Sequence, residues 1–193
     1  MRKVSSGNMR CLQLLLLSGM FSAVWADELQ HEHREHGVHE HGVAQLNIAL
    51  EGDVLQMELE TPTMNIVGFE HMPATRQQQQ EVDDAAATLR HGAEVFSLPA
   101  AAGCVLQEAN VESALLKREH DDMSHEHEHR HEGHADFDAD YSFKCVNPMA
   151  LKYVDVQLFT LFSGMREIDV QIITHSGQRA QELNSQSVRI NIQ

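Results

Sequence analysis

The sequence predicts an α+β fold: an antiparallel sheet built from hairpins, about two packed helices, and one long histidine-rich loop carried by a single domain. Three observations support this. Several segments alternate apolar and polar residues at the period of a half-buried strand. Two stretches carry helix start signals. Two histidine-dense tracts interrupt the apolar pattern without marking an internal domain boundary.

Residues 1–26 read as a secretory signal: Arg2, Lys3 and Arg10 form a positive start, Cys11 to Val24 an apolar run, and Val24-Trp25-Ala26 places small residues at a cleavage point. The run is too short and too poorly flanked for a membrane span. Cys11 begins the run rather than following it, which argues against a lipid anchor. The mature chain is therefore expected to be exported, into a bacterial periplasm, without membrane insertion.

Residues 27–42 are polar and histidine-rich and are expected to form a mobile arm, ahead of a single domain over 43–193. Val43–Leu50 and Val54–Glu60 alternate apolar and polar residues around the turn Glu51-Gly52-Asp53, which predicts a hairpin. Residues 61–73, with two prolines and a glycine, form an irregular connection. Thr75 caps a helix from Arg76 to about Phe96, with Val82, Ala85, Ala86, Leu89, Ala93 and Phe96 near helical spacing.

Leu98–Gly103 breaks that helix, and Cys104–Leu116 and Phe137–Cys145 are strands flanking a disordered loop over 119–135. Asn147-Pro148 looks like a cap followed by a first-turn proline, so a second helix is expected to run to Phe162. Strands Glu167–Thr174 and Ser187–Ile192 follow, joined by a polar loop around Gly177.

Eleven of the fourteen histidines lie in two tracts, His31–His41 and His120–His134. Packing cannot account for them. Imidazoles are largely neutral at pH 7 and carry a lone pair for transition metals, while the interleaved Glu and Asp favour a dication. Such tracts are a compositional signal for metal binding.

Charge agrees. Cleavage after Ala26 leaves 167 of 193 residues and takes the formal charge from −15 to −18, since it removes three basic residues and no acidic one. That balance argues against nucleic acid or anionic lipid as partners and favours cations.

Two cysteines remain, Cys104 and Cys145, and in an oxidising compartment a structural disulfide is the default. Thiolate ligation of a metal is the alternative, although no C-x-x-C spacing supports it.

On an extended segment, residues two apart face the same side, so His39 and His41 can offer two imidazoles to one ion. Zinc takes four ligands, or three and water, so the pair is half a site. His71 is the candidate to complete it, with Glu70, Asp136 and Asp138 as further options, whereas His91 and His175 read as surface histidines. In the second tract, His125, His127, His129, His131 and His134 offer overlapping chelates of similar energy, so several ions should bind there weakly. The two H-E-x-x-H matches at His125–His129 and His127–His131 arise from any alternating tract. No apolar residue packs them as a peptidase helix, so no enzyme is expected.

The segments around the tracts carry a resemblance. His39–Leu50, Met64-Asn-Ile-Val-Gly-Phe-Glu-His71, Leu98–Cys104, Val111–Leu116 and Ala135–Cys145 resemble the ZrgA-like periplasmic zinc-binding proteins of Gram-negative bacteria. The resemblance covers nearly the whole mature chain. It implies Zn2+ capture under zinc limitation, delivery to an inner-membrane transporter, and ligands at His39, His41 and His71. The alternative within binding proteins is a periplasmic buffer or detoxification protein for zinc, copper or nickel. The mature chain's methionines form no M-x-x-M cluster, which reads as core filling rather than copper binding. At 167 residues, the chain is too short for the two lobes of a zinc solute-binding subunit.

Overall fold

Alternation decides the first elements. In the computed structural model, which describes residues 40–117 and 135–192, strand β1 (Val43–Glu51) pairs antiparallel with β2 (Val54–Pro62). Leu46 faces Leu59 and Ile48 faces Met57, all four buried. Gly52 turns the hairpin at φ 61°, a conformation that costs a glycine nothing. The expected signal segment 1–26, the arm as far as residue 39, and residues 119–134 of the expected loop lie outside the described residues. Every described residue belongs to one compact unit, His36–Gln193.

The hairpin is the middle of a six-stranded sheet. β4 (Cys104–Ser113), β5 (Asp136–Cys145), β7 (Glu167–Thr174) and β8 (Gly177–Asn184) complete it in the order β4-β5-β2-β1-β7-β8. All neighbours are antiparallel except β1 and β7, which run parallel from Val43↔Glu167 to Ala49↔Ile173. One face of this sheet is the core: Leu55, Phe137, Phe143, Ile168 and Val170 are essentially inaccessible. A three-stranded sheet of β3 (Phe96–Ser97), β6 (Tyr153–Val156) and β9 (Arg189–Asn191) contributes Phe96, Val154 and Ile190 to the same core. Among the described residues, no helix is long and apolar enough to cross a membrane.

Among the described residues, four α-helices accompany the sheets: α1 (Thr63–Val67), α2 (Arg76–Arg90), α3 (Gly92–Val95) and α4 (Leu158–Leu161). The Thr75 hydroxyl accepts the Gln78 N–H at 3.2 Å, as an N-cap should. α2 buries Val82, Ala85, Ala86 and Leu89. It stops at Arg90 instead of reaching Phe96, because Tyr141 intervenes. The Tyr141 hydroxyl donates to the Leu89 carbonyl at 2.9 Å. Its ring lies so close to Gly92 that a Cβ there would sit 2.6 Å from Cδ1. The chain turns off at His91, and Phe96 joins β3 edge-on to Tyr141 at 5.1 Å between centroids.

The helix expected from Asn147 to Phe162 does not form. Asn147-Pro148 opens only a 3₁₀ turn, Pro148–Ala150, and the Asn147 amide donates to the Ala101 carbonyl at 3.4 Å rather than capping. The chain beyond this turn alternates as β6: Val154 and Val156 are buried, pairing with Ile190 and Phe96. β-branched residues at period 2 therefore override the start signal. The expected loop around Gly177 is also a strand, β8, which buries only Leu183. Its polar side chains serve the small sheet instead, with Arg179 donating to Asn191 O at 2.9 Å and Gln181 to Arg189 O at 2.6 Å.

The cysteine pair is a disulfide. Cys104 and Cys145 face each other across β4 and β5, S–S 2.07 Å. The same two strands run on together to Ser113↔Phe137, so the histidine tract leaves and rejoins the sheet at neighbouring points. A bridge closing 41 residues restricts the unfolded chain by roughly 3–4 kcal/mol in the chain-entropy model. Replacing both cysteines with serine should lower the melting temperature by roughly 10 °C. Zinc stoichiometry in a titration of the same variant should stay at the parent value.

Candidate metal centre

The His41 backbone is held from several sides. The Gly42 N–H donates to Asn65 Oδ1 at 2.5 Å, and its carbonyl accepts from the N–H groups of Arg166 (2.8 Å) and Glu167 (3.0 Å). The Arg166 guanidinium donates to the His41 carbonyl. Gly42 sits at φ 96°, where a Cβ would run into the Arg166 side chain. From this fixed point, the half-exposed His41 imidazole reaches Glu70, with Nε2 and Oε1 3.0 Å apart.

Glu70 owes its position to α1. That helix ends at Gly68 in the left-handed conformation (φ 82°), and the Thr63 hydroxyl donates to the Phe69 carbonyl at 2.8 Å. His71 is the next residue. Its ring stacks on Phe69 with centroids 5.1 Å apart, and its Nδ1 lies 2.9 Å from the Met72 carbonyl. That contact requires the proton on Nδ1, which leaves the Nε2 lone pair available to a metal. The two side chains that face each other are His41 and Glu70. Tetrahedral zinc, with bonds of roughly 2.0–2.1 Å, holds its ligand atoms about 3.3 Å apart. The observed separation of 3.0 Å is within a few tenths of that.

The sequence marks His41 and His71 as candidate ligands and Glu70 as a further option; the structure brings Glu70 to His41. His39, His125, His127, His129, His131 and His134 lie outside the described residues. Among the described residues, no three His, Cys, Asp or Glu side chains group closely enough to hold a metal. His91 is exposed, 4.0 Å from Glu94, and His175 lies exposed in the β7–β8 turn. Asn65 and Arg166, which fix the His41 backbone, went unread. Hydropathy periodicity sees a buried asparagine only as a polar interruption.

Asp136 and Asp138 belong to β5, at the end of the sheet where β1 begins. Register places Glu112, Asp138, Glu60, Gln45, Asp169 and Glu182 in one row across the outer face, five carboxylates in six positions. Like charges directly opposite each other destabilise a sheet. The Asp138 carboxyl is accordingly held above its ordinary range, first by lost hydration, then by the charges of Glu60, Asp136, Asp140 and Glu112.

The domain is a small α+β fold that holds a histidine–carboxylate pair at one end of its sheet. Comparison with known families places it further: the sequence profile of the ZrgA family zinc uptake protein matches residues 38–192. The chain belongs to the ZrgA family of zinc uptake proteins. Comparison with curated proteins finds no match.

The acidic row makes its own prediction. A carboxyl whose pKa is raised by folding weakens the folded state wherever it is ionised, so this penalty grows as pH rises above the usual 3.8. Asp138→Asn should therefore raise the melting temperature at pH 7 by roughly 1–4 °C, from like-charge pairs worth on the order of 0.2–1 kcal/mol each. The gain should vanish below pH of about 4, where the parent carboxyl is protonated. Calorimetric scans of both proteins at pH 7 and pH 3.5 check it.

Proposed function

We propose that the chain is a periplasmic, non-enzymatic protein that captures Zn2+ and hands it to an inner-membrane uptake system. In this reading the tight site is built on His41 and Glu70, with His39 and His71 as further ligands. The second tract, with His125, His127, His129, His131 and His134, collects ions at lower affinity. The observation that carries the reading is the His41–Glu70 pair, spaced near the ligand separation of tetrahedral zinc on a backbone already fixed. Membership of a zinc uptake family supports the choice of metal.

The arrangement of the sheet supports the two-tier scheme. Ala135, the first described residue after the tract, accepts the Thr63 N–H at 2.8 Å, and Thr63 also holds Phe69, the neighbour of Glu70. The residue that follows the tract is thus tied to the helix that leads into Glu70. Ions gathered along the tract are released close to ligands that need little ordering to receive them.

Replacing His39 and His41 together with alanine should weaken the tightest zinc site at least tenfold, about 1.4 kcal/mol, with the fold intact. Deleting residues 119–134 should remove several weak zinc equivalents and leave one tight one. Calorimetric titration of parent, double variant and deletion at pH 7.5 decides the matter. A deletion variant with no tight site would make the tract itself the site.

A further inference from the structure

We propose that Asn65 is the positioning residue of this zinc site: its side-chain amide locks the start of β1 to α1, so that His41 and Glu70 face each other before the ion arrives. The inference rests on the zinc-binding reading above and assigns a role to a residue that touches neither ion nor ligand side chain.

Asn65 is 2 % exposed, and three side-chain hydrogen bonds direct it at this junction. Oδ1 accepts from Gly42 N at 2.5 Å, while Nδ2 donates to the Val43 carbonyl at 2.8 Å and to Thr61 Oγ1 at 3.0 Å. Both backbone groups flanking the Gly42–Val43 peptide step therefore end on one side chain. The residue itself sits in the middle of α1, the helix whose left-handed end at Gly68 leads to Glu70. One planar amide thus references the His41 backbone and the Glu70 backbone to each other.

The surroundings leave it no freedom. On the other side, the turn after α4 brings Gly164 so close that a Cβ there would lie 2.5 Å from the Asn65 carbonyl oxygen. Beyond Gly42, the Arg166 side chain closes the remaining space. An apolar residue at position 65 would leave the Gly42 N–H and the Val43 carbonyl without these partners and the His41 segment free to shift. A site held in place binds its ion without the ordering cost that a loose one incurs, and displacement of supporting groups by about 1 Å is enough to spoil it.

A purely structural asparagine would affect stability alone, and Thr61 separates the two roles. Thr61→Val removes one bond of the same amide but leaves Gly42 and Val43 held. The test measures tight-site zinc affinity of the full mature chain by competition with a chelator, well below each variant's melting temperature, alongside thermal stability. Asn65→Ala should lose stability and at least tenfold in affinity. Thr61→Val should lose stability and stay within twofold of the parent affinity. Gly42→Ala, which keeps Asn65 but displaces the His41 backbone against Arg166, should also lose at least tenfold.

A folded Asn65→Ala protein with parental affinity overturns the proposal. So does equal weakening by Thr61→Val, which would mean that affinity merely tracks stability. If Asn65→Ala does not fold, Gly42→Ala decides, and parental affinity there rejects the idea. His41→Ala serves as reference. If it leaves the tight site unchanged, the zinc reading fails at its root and the positioning role falls with it. If it weakens binding while folded Asn65→Ala does not, only the positioning role falls.

Discussion

The register of β2, β1 and β7 is the constraint on which the rest of the structure depends. β1 is hydrogen-bonded on both sides, antiparallel to β2 and parallel to β7, and its inward residues Ala44, Leu46 and Ile48 are all buried. A slip of one residue against either neighbour would turn these side chains to water and bring Gln45 and Asn47 inward. The apolar faces of three strands therefore fix where β1 begins. That start is the Gly42 step, with His41 directly before it. The location of the His41–Glu70 pair is thus set by the core.

The same register has a cost. Once the inward face is set, the outward residues have no choice of neighbour, and Glu112, Asp138, Glu60, Asp169 and Glu182 fall into one row without a lysine or arginine among them. The Asp138 carboxyl registers this as a raised affinity for its proton. By contrast, Lys144 at the other end of β5 pairs with Asp53 at 2.7 Å, and Arg189 on the small sheet holds Asp155 at 2.7 Å while lying over the Tyr153 ring. Opposite charges are matched away from the His41 end of the large sheet, and like charges gather toward it.

Much of this was legible in the sequence because it rests on period-2 alternation. The β1–β2 hairpin, the strands on either side of the second tract, β7 and the α2 cap all arise from local pattern. The Cys104–Cys145 bridge was legible from compartment and count. The failures share one cause, contacts from elsewhere in the chain. Asn147-Pro148 carries a helix start that the buried valines of β6 override. α2 ends early because a tyrosine 52 residues beyond Leu89 bonds the Leu89 carbonyl and fills the space above Gly92. β8 has no alternation to read, because it is an edge strand whose polar side chains bond the neighbouring sheet. At the site, residue type announced the histidines, but nothing in the sequence announced Asn65, since burial of an amide depends on three segments meeting around it.

Two devices keep the large polar excursion between β4 and β5 from weakening the fold that carries it. At one end of this strand pair the disulfide joins Cys104 to Cys145, and the antiparallel pairing then runs on to Ser113↔Phe137. At the other end the Ala135 carbonyl is bonded to the first residue of α1. The chain between Lys117 and Ala135 thus joins two points that the sheet already holds, and lengthening such a segment costs only slowly with its length. Histidines can accumulate there without disturbing the register of β5. The His41–Glu70 pair sits elsewhere, where α1, β1 and the Arg166 turn meet. The histidine tract and the pair are separated along the chain, and α1 both bonds the residue that follows the tract and leads into Glu70.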